Sequence, residues 1–214
     1  EVDQPFLGLH RTRRTGARTF DVWSLRKKKY QIGETVALSM NNCRETAGAF
    51  FSESSDLAVA QVTVNYLHGF GWLTQMCRDV SFTEVHFHPD SQHHVSSFAD
   101  CIHVCGCKGT VTVKDCSFTQ AHDDAINIHG AFLRFLRRVD DHTAVFQFVH
   151  RQQGGYRAFF PGDRVRFYYR SSLQPCGEEN TVAAVEDDID AKTCTLTFDR
   201  PLPENIDAKC RGQQ

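Results

Sequence analysis

The sequence predicts an all-β protein in which coils of a right-handed parallel β-helix are combined with a small antiparallel β-barrel, inserted or appended. The first indication is a repeat, because residues 57–64, 80–87 and 111–118 align without gaps and have apolar residues at matching positions. The first two segments are 23 residues apart, close to one coil of a parallel β-helix, whose coils stack on their neighbours. The second indication is that the repeat stops after residue 130, where longer strands with regular turns follow.

Matching positions of the three segments carry apolar residues, as Val59, Phe82 and Val113 illustrate. The third segment follows the second after 31 residues instead of 23. We assign the eight additional residues to a loop at residues 89–97, which we interpret as an insertion in one coil.

Each coil also contains a second strand-like piece after its turn, at residues 71–75, 100–104 and 124–128. If these pieces stack, their alternate side chains form one ladder that faces inward and one that faces outward. The predicted inward ladder consists of Leu73, Ile102 and Ile126. The predicted outward ladder consists of Thr74, His103 and Asn127.

Carboxylate and imidazole side chains crowd together within residues 109–130. Asp123 and Asp124 are adjacent, and they are flanked by His122, Asn127 and His129. Two neighbouring carboxylates repel each other when both are ionised, so the group that keeps its proton longer becomes a general acid beside a base. An aspartate-rich turn closed by hydrogen bonds is the structural alternative.

Stacking of the coils adds a third carboxylate. Asp100 precedes Asp124 by one coil, so the predicted separation of their backbones is roughly 5 Å. Three carboxylates and two or three histidines on one face of a solenoid form a groove-like polar site. A structural ladder of aspartate and asparagine side chains is the competing interpretation.

Composition narrows the possible functions. The 214 residues are 41% hydrophobic and 23% charged, as in globular domains. The formal net charge of -2 gives no general attraction to nucleic acid or anionic lipid. No run of apolar residues is long enough to predict a transmembrane helix, so we expect neither a nucleic-acid partner nor a membrane span.

The nine cysteines leave the cellular compartment open, because an odd number cannot all pair within one chain. The cluster Cys101, His103, Cys105 and Cys107 invites a zinc interpretation, since thiolate and imidazole are the ligands that zinc prefers. We disfavour zinc because no second ligand pair follows downstream. The alternate spacing suits a strand in which cysteine acts as a small buried apolar residue.

We predict four regions along the chain. They are a β-rich N-terminal segment at residues 1–47, β-helix coils carrying the site at 48–130, a small β-barrel at 131–203, and the start of a truncated return segment at 204–214. The predicted barrel strands comprise residues 132–139, 143–149, 164–169, 181–186 and 194–198. Their many aromatic side chains are more typical of a core than of a sugar-binding surface.

Specific motifs connect these regions to a known family. The segments Ser97-Phe-Ala-Asp-Cys-Ile-His103, Asp115-Cys-Ser-Phe118 and His122-Asp-Asp-Ala-Ile-Asn-Ile-His-Gly130 resemble glycoside hydrolase family 110. This family removes terminal α-1,3-linked galactose from blood-group-B-type and related glycans. Residues 69–75 resemble an earlier coil of the same family, and residues 161–163 and 196–203 resemble the barrel inserted in its β-helix.

The resemblance implies a right-handed parallel β-helix with an inserted barrel and an exo-acting, inverting hydrolase. It implies catalytic aspartates at Asp100, Asp123 and Asp124, and a galactose-terminated glycan as the substrate. It also implies a secreted or periplasmic location. Family members are longer and have further coils after the barrel, so we expect this chain to be a central fragment.

An inverting glycosidase needs one protonated and one ionised carboxyl, separated by roughly 6.5 to 9.5 Å so that a water fits between them. We predict that two of Asp100, Asp123 and Asp124 act as acid and base and that the third tunes the pair. No metal or other cofactor is expected.

Substrate contacts are expected from polar and aromatic side chains near the aspartates. The polar candidates, which can hydrogen-bond galactose hydroxyls, are His103, His122, Asn127 and His129. Trp72 is the aromatic candidate, since an indole ring can stack on the apolar face of galactose, and burial within the coil is its alternative.

Other functions remain open from the residues alone. A catalytically silent β-helix that binds glycans or serves as a scaffold is one alternative. A polygalacturonase-like hydrolase or a pectate-lyase-like enzyme is another. A calcium-dependent lyase would want a basic residue among its carboxylates, and no Arg or Lys lies between Cys116 and Gly130. A cysteine-dependent enzyme is disfavoured, because no cysteine is matched with a histidine except by proximity in sequence.

Overall fold

The computed structural model describes residues 9–24, 31–34, 46–150 and 156–206. Every regular element in these ranges is a β-strand, which confirms the all-β prediction. The chain divides into two compact units at the boundary between residues 129 and 130. Across the described ranges there is no helix with the length and apolar character needed to traverse a membrane.

The described part of the first unit contains ten strands. In chain order they are β1 (Leu9–Arg14), β2 (Phe20–Ser24), β3 (Ala47–Ser52), β4 (Ser55–Val64), β5 (Phe70–Gln75), β6 (Arg78–Phe87), β7 (Ile102–Cys105), β8 (Lys108–Lys114), β9 (Ser117–Phe118) and β10 (Ile126–His129). β1 and β2 pair as an antiparallel hairpin. The rest of the predicted N-terminal segment lies largely outside the described residues.

The other eight strands form two parallel sheets. One sheet has the order β10-β7-β5-β3, and the other has the order β4-β6-β8 with β9 also pairing with β6. From β3 to β8 the chain alternates between the two sheets, so each pair of successive strands places one strand in each. Neighbouring strands within a sheet are therefore one repeat apart in the chain and run parallel.

The strand register confirms the repeat that the sequence predicts. Val59 pairs with Phe82, and Phe82 pairs with Val113. The position of the additional residues is only partly as predicted. Leu67 pairs with Ser97, which is 30 residues later and therefore seven residues beyond the 23-residue repeat. Seven of the eight additional residues thus precede Ser97, in the loop. The eighth additional residue forms a β-bulge in β8, where the pairing of β6 with β8 shifts register. A bulge of this kind places one extra residue in one of the two paired strands.

Left-handed backbone conformations recur at equivalent positions of the coils. Gln61, Glu84 and Asp115 have φ angles of 58°, 53° and 54°. A single left-handed residue within a strand bends it locally, as in a bulge. Two further sets behave in the same way: Glu53, Met76 and Gly106, and Asp56, Asp79 and Gly109. The backbone conformation repeats together with the sequence.

Large apolar side chains from both sheets fill the space between them. Trp72 from β5 packs against Phe82 and Phe87 from β6, with ring centroids 6.0 Å and 5.3 Å apart. Both phenylalanines are fully buried, and each contributes about 2 to 3 kcal/mol by leaving water. Ile102 and Val104 from β7 complete this core.

The predicted ladders are wrong by one residue in β5. Trp72, not Leu73, pairs with Ile102, and Ile102 pairs with Ile126, so these three form the inward ladder. Leu73 pairs with His103 in the outward ladder. Thr74, which we expected to face outward, is fully buried. The reason is that paired residues of β5 and β7 are 30 residues apart, one more than in the predicted ladder. A shift of one residue along a strand reverses the face of every side chain in it.

The second unit contains a five-stranded antiparallel sheet in its described part. Its strands are β11 (Leu133–Arg138), β12 (Thr143–Phe148), β13 (Arg164–Val165), β14 (Asn180–Asp188) and β15 (Thr193–Phe198), in the order β11-β12-β15-β14-β13. All five predicted strands have a counterpart, although β13 is shorter than predicted. Phe146, Phe167 and Phe198 form one ring cluster in its core, whereas Phe132 and Tyr168 are exposed.

Candidate active site

Asp100 lies two residues before β7, in a position fixed by its backbone hydrogen bonds. Its carbonyl oxygen accepts a hydrogen bond of 2.9 Å from the amide of Gly71, one coil earlier. The hydroxyl of Ser97 also donates to this carbonyl, at 3.4 Å. Only 4% of the Asp100 surface is exposed, so its carboxyl group is held in a largely buried setting.

The stacking of coils brings Asp123 and Asp124 to Asp100. Both precede β10, and the carbonyl oxygen of Asp124 accepts a hydrogen bond of 3.0 Å from the amide of Cys101. One carboxyl oxygen from each of the three aspartates lies within 4.8 Å of the other two. The burial of the carboxylates is graded, since Asp100 is buried, Asp123 is half-buried and Asp124 is exposed.

Two histidines extend this group on the outward face. The Nδ1 atom of His103 lies 2.5 Å from a carboxyl oxygen of Asp100. The Nε2 atoms of His103 and His129 are 2.9 Å apart. Asn127, which pairs with His103 across the sheet, donates from Nδ2 to a carboxyl oxygen of Asp124 at 3.3 Å. Three of the four predicted polar residues therefore contact the aspartates or each other.

The fourth, His122, lies beside an aromatic ring. Its ring meets that of Phe98 edge to face, with centroids 4.8 Å apart. Burial lowers the pKa of His122, because removing water disfavours the charged imidazolium. The ring is thus predisposed to be neutral, with one nitrogen that donates and one that accepts.

Trp72 does not belong to the site. It is 7% exposed and packs in the core between the sheets, so the prediction that it stacks on a sugar is wrong and the alternative of burial is correct. The physical reason is the register of β5, which turns Trp72 inward.

Sequence reasoning missed two other aromatic residues, Tyr66 and Phe98, whose rings form one group with that of His122. Tyr66 is 39% exposed and stacks on His93 of the inserted loop, with centroids 4.3 Å apart. Its ring also meets that of Phe98, at 6.2 Å. Ser97 pairs with Ala121, so Phe98 and His122 each follow an aligned residue. An alignment with the correct spacing would have shown that these two residues occupy equivalent positions of neighbouring coils.

The three aspartates are chemically suited to share or transfer a proton. Their nearest oxygens are closer than the roughly 6.5 to 9.5 Å expected between the acid and the base of an inverting glycosidase. The assignment of two of the three aspartates as acid and base stays a prediction. Clustered acidic side chains often occur without an ion, and Asp100 already contacts His103, so we assign no metal site to them.

The cysteines are not part of this group. The seven within the described ranges are free thiols, and Cys101 and Cys105 are buried. Burial raises the pKa of the Cys101 thiol to about 11. This arrangement agrees with the interpretation of these cysteines as small buried apolar residues.

Comparison with known proteins relates this chain to one group of enzymes. Residues 143–209 match the family model described as GLAA-B beta-barrel domain II. Alpha-1,3-galactosidase A of Akkermansia muciniphila is 34% identical over 168 residues, which are 78% of this chain and 28% of that protein. Alpha-1,3-galactosidase B of Bacteroides fragilis is 33% identical over 145 residues, 66% of this chain and 24% of that protein.

The chain is a homologue of the alpha-1,3-galactosidases. A third relative, alpha-1,3-galactosidase A of Bacteroides fragilis, is 32% identical over 77% of this chain. The chain spans about a quarter of the length of these curated alpha-1,3-galactosidases. The family resemblance that the motifs predict is thereby confirmed, and the match to a β-barrel model agrees with the predicted barrel after residue 130.

Proposed function

We propose that this chain provides part of the active site of an exo-acting glycoside hydrolase that releases terminal α-1,3-linked galactose from glycans. The observation that carries the proposal is the convergence of Asp100, Asp123 and Asp124 in a homologue of alpha-1,3-galactosidases. A galactose-terminated glycan is then the substrate. Since such glycans occur outside the cytoplasm, the proposal includes a secreted or periplasmic location.

The proposal includes the fold that holds the site. The first unit from residue 47 onward consists of coils of a right-handed parallel β-helix. Two observations support this: successive strands alternate between two parallel sheets, and left-handed residues recur at equivalent positions of the coils. Stacked coils hold the three aspartates on rigid strands and tight turns, which favours a fixed geometry for catalysis.

Hydrolysis with inversion requires a water to attack the anomeric carbon while the glycosidic oxygen leaves and takes up a proton. The aspartate group binds this water and accepts its proton, because three clustered carboxylates stabilise added positive charge. We assign all three to the side of the attacking water, in place of the acid–base pair that we expected from the sequence, because one carboxyl oxygen of each lies within 4.8 Å of the other two. The proton donor to the glycosidic oxygen then lies on the opposite side of the sugar.

Substrate recognition in this proposal uses the groups around the aspartates. Asn127 and His122 are positioned to exchange hydrogen bonds with galactose hydroxyls. Tyr66 and Phe98 supply the apolar surface that we first expected from Trp72. Aromatic rings next to polar groups suit a sugar, which has apolar faces and polar edges.

The experiment is an assay with an α-1,3-galactosyl disaccharide, in which Asp100, Asp123 and Asp124 are each changed to Asn. Each change should lower the rate of galactose release about 100-fold or more, because it removes a group that carries a proton or a charge in the reaction. Asp190→Asn, at an exposed turn of the second unit, is the matched control. Full activity in all three folded variants would place the reaction elsewhere.

Proton NMR of the first product distinguishes the stereochemistry. Initial formation of β-galactose supports inversion, and initial formation of α-galactose contradicts it. The chain's coverage of about a quarter of its relatives favours a second candidate, a glycan-binding module without turnover. Saturable binding of the disaccharide with no galactose released by the wild-type chain would establish that candidate instead.

A further inference from the structure

His86 and His88 lie on the outer face of the parallel sheet that contains β4, β6 and β8. Their neighbours in the chain, Val85 and Phe87, belong to the buried core, so the two imidazoles face the other side of the strand. His88 follows β6 directly, and its amide still donates to the carbonyl oxygen of Val64 at 3.0 Å. Both histidines are half-buried and held by a regular backbone.

Two ring nitrogens from these histidines converge on a single oxygen atom. Nδ1 of His86 and Nε2 of His88 each lie 2.7 Å from Oγ of Ser117. Ser117 belongs to β9 and pairs with His86 in the register of the sheet. The alternation of a strand places residues i and i+2 on one face, and the stacking of coils adds the serine. Two imidazoles therefore point at one location on the neighbouring coil.

The hydrogen bonds around this location indicate where the hydrogens reside. The hydroxyl of Thr119 donates to the carbonyl oxygen of Phe87 at 3.3 Å, and its oxygen lies 3.4 Å from Nδ1 of His88. Thr119 has already used its one hydrogen, so Nδ1 of His88 is the donor and Nε2 carries a lone pair. Ser117 donates to that lone pair and accepts from Nδ1 of His86. Both neutral rings then carry their hydrogen on Nδ1.

One change of tautomer converts this arrangement into a pair of metal ligands. A neutral imidazole can carry its hydrogen on either nitrogen, and solvent exchange moves it. With the hydrogen of His86 on Nε2, one lone pair from each ring faces the same location. Imidazole nitrogens bind zinc, copper and nickel ions. A metal-bound histidine usually donates its other N–H to a nearby oxygen, and Thr119 already provides that oxygen for His88.

We propose that His86 and His88 bind a divalent transition-metal ion such as Zn²⁺, with the hydroxyl of Ser117 as an oxygen ligand from the neighbouring coil. Water fills the remaining positions, so the site is open and differs from a closed structural zinc site with four protein ligands. The proposal departs from the sequence-based expectation that no metal binds. It does not depend on the function proposed above, because the three aspartates adjoin β7 and β10 in the other sheet.

Nitrogen NMR of the imidazoles in the full chain, at pH 8 and during titration with Zn²⁺, tests the proposal directly. Before zinc is added, His86 and His88 should both carry their hydrogen on Nδ1. Zinc should shift Nδ1 of His86 and Nε2 of His88, and it should move the hydrogen of His86 to Nε2. Shifts confined to other histidines would overturn the site. No shift of either ring in excess zinc would show a purely structural hydrogen-bonded pair and would overturn it as well.

Isothermal titration calorimetry with Zn²⁺ provides the second arm. His86→Gln and His88→Gln can still hydrogen-bond Ser117 but lack the imidazole ligand. Each should weaken zinc binding at this site about 100-fold or more, since loss of a partner that only orients a ligand already costs about 10- to 100-fold. Exposed His94→Gln is the matched control. Unchanged zinc affinity in both folded glutamine variants would overturn the proposal.

Cysteine thiols also bind zinc, so the thiol nearest in sequence needs its own control. Cys116, next to Ser117, is a half-buried free thiol. Cys116→Ser should leave the zinc-induced shifts of His86 and His88 unchanged. Loss of those shifts in folded Cys116→Ser would assign the ion to the thiol and overturn the site as proposed.

Discussion

The amide of Gly71 donates a hydrogen bond of 2.9 Å to the carbonyl oxygen of Asp100, one coil further along the chain. The backbone of residues 100 and 101 comes so close to β5 here that a Cβ atom on Gly71 would lie 2.0 Å from the carbonyl oxygen of Cys101 and 2.5 Å from that of Asp100. Both obstacles are backbone atoms, which cannot rotate away as the end of a side chain can. The absence of a side chain at residue 71 is therefore part of what positions the carboxyl group of Asp100.

We predict that Gly71→Ala lowers the free energy of unfolding by about 1 to 3 kcal/mol, the usual cost of forcing extra atoms into a packed site. Galactose release should fall as well, because Asp100 moves. Urea denaturation and the disaccharide assay measure the two effects. Gly130→Ala is the control, since its added Cβ would meet nothing closer than 3.9 Å. Equal stability of the two variants would contradict the prediction.

Thr74 is a polar residue on the inward face, and its hydroxyl is buried without a hydrogen-bond partner. Thr74→Val replaces that hydroxyl by a methyl group of nearly the same size. We expect the variant to be more stable by about 1 kcal/mol, because an unsatisfied buried hydroxyl costs free energy. Thermal or urea unfolding measures this, with exposed Thr63→Val as the control. A loss of stability in Thr74→Val would show that the hydroxyl has a partner.

Tyr66 stacks on His93 and contacts Phe98, whose ring meets that of His122. If these rings form part of the sugar site, Tyr66→Ala should raise KM for the galactosyl disaccharide about fivefold, which corresponds to roughly 1 kcal/mol of stacking. Tyr66→Phe should keep most of the affinity, because it keeps the ring. Tyr168→Ala removes an exposed tyrosine from the second unit and is the matched control. The same KM in Tyr66→Ala and wild type would remove Tyr66 from the site.

Burial lowers the pKa of His122, so the folded chain binds this proton less readily than the unfolded chain does. The resulting stability is present above the ordinary histidine pKa of about 6.5 and is lost as the pH falls through that value toward the lowered pKa. His122→Gln should therefore lose less stability than wild type between pH 8 and pH 5. Unfolding free energies at both values test this, and identical pH dependence would contradict it.

Thiol reactivity should follow burial. The pKa of Cys101 is raised to about 11 and that of Cys194 to about 12, in both cases chiefly by burial, so less than about one thiol in a thousand is ionised at pH 8. We expect iodoacetamide to modify half-buried Cys116 in the folded chain long before either of them. Peptide mass spectrometry after timed labelling measures the order, and labelling in urea is the control. Rapid labelling of Cys101 in the folded chain would contradict its burial.

Much of the fold follows from local sequence patterns. The repeat of apolar residues predicted which strands pair, and Val59, Phe82 and Val113 are aligned as expected. The five strands of the second unit were also predictable, because each is an alternating run bounded by turn residues. These features depend on periodicity within short segments, which is visible in a single sequence.

The register of β5 was not predictable in the same way. A loop insertion and a bulge both lengthen the repeat, and the sequence does not reveal how many residues belong to each. Assigning one residue to the bulge instead of the loop changes the register of β5 by one position. With that register Trp72 faces the core and Leu73 lies beside His103. The error in the predicted site, Trp72 as a sugar contact, follows directly from this.

By itself the sequence determined the all-β class, the repeat, the family resemblance and the three aspartates, because these depend on residue type and spacing along the chain. Only the tertiary structure decided which face each side chain occupies, how close the carboxyl groups come, and that His103 joins Asp100 to His129. The physical reason is that hydrogen bonds and burial depend on distances of a few ångströms between different coils. Those distances are set by register and packing, which no local pattern specifies.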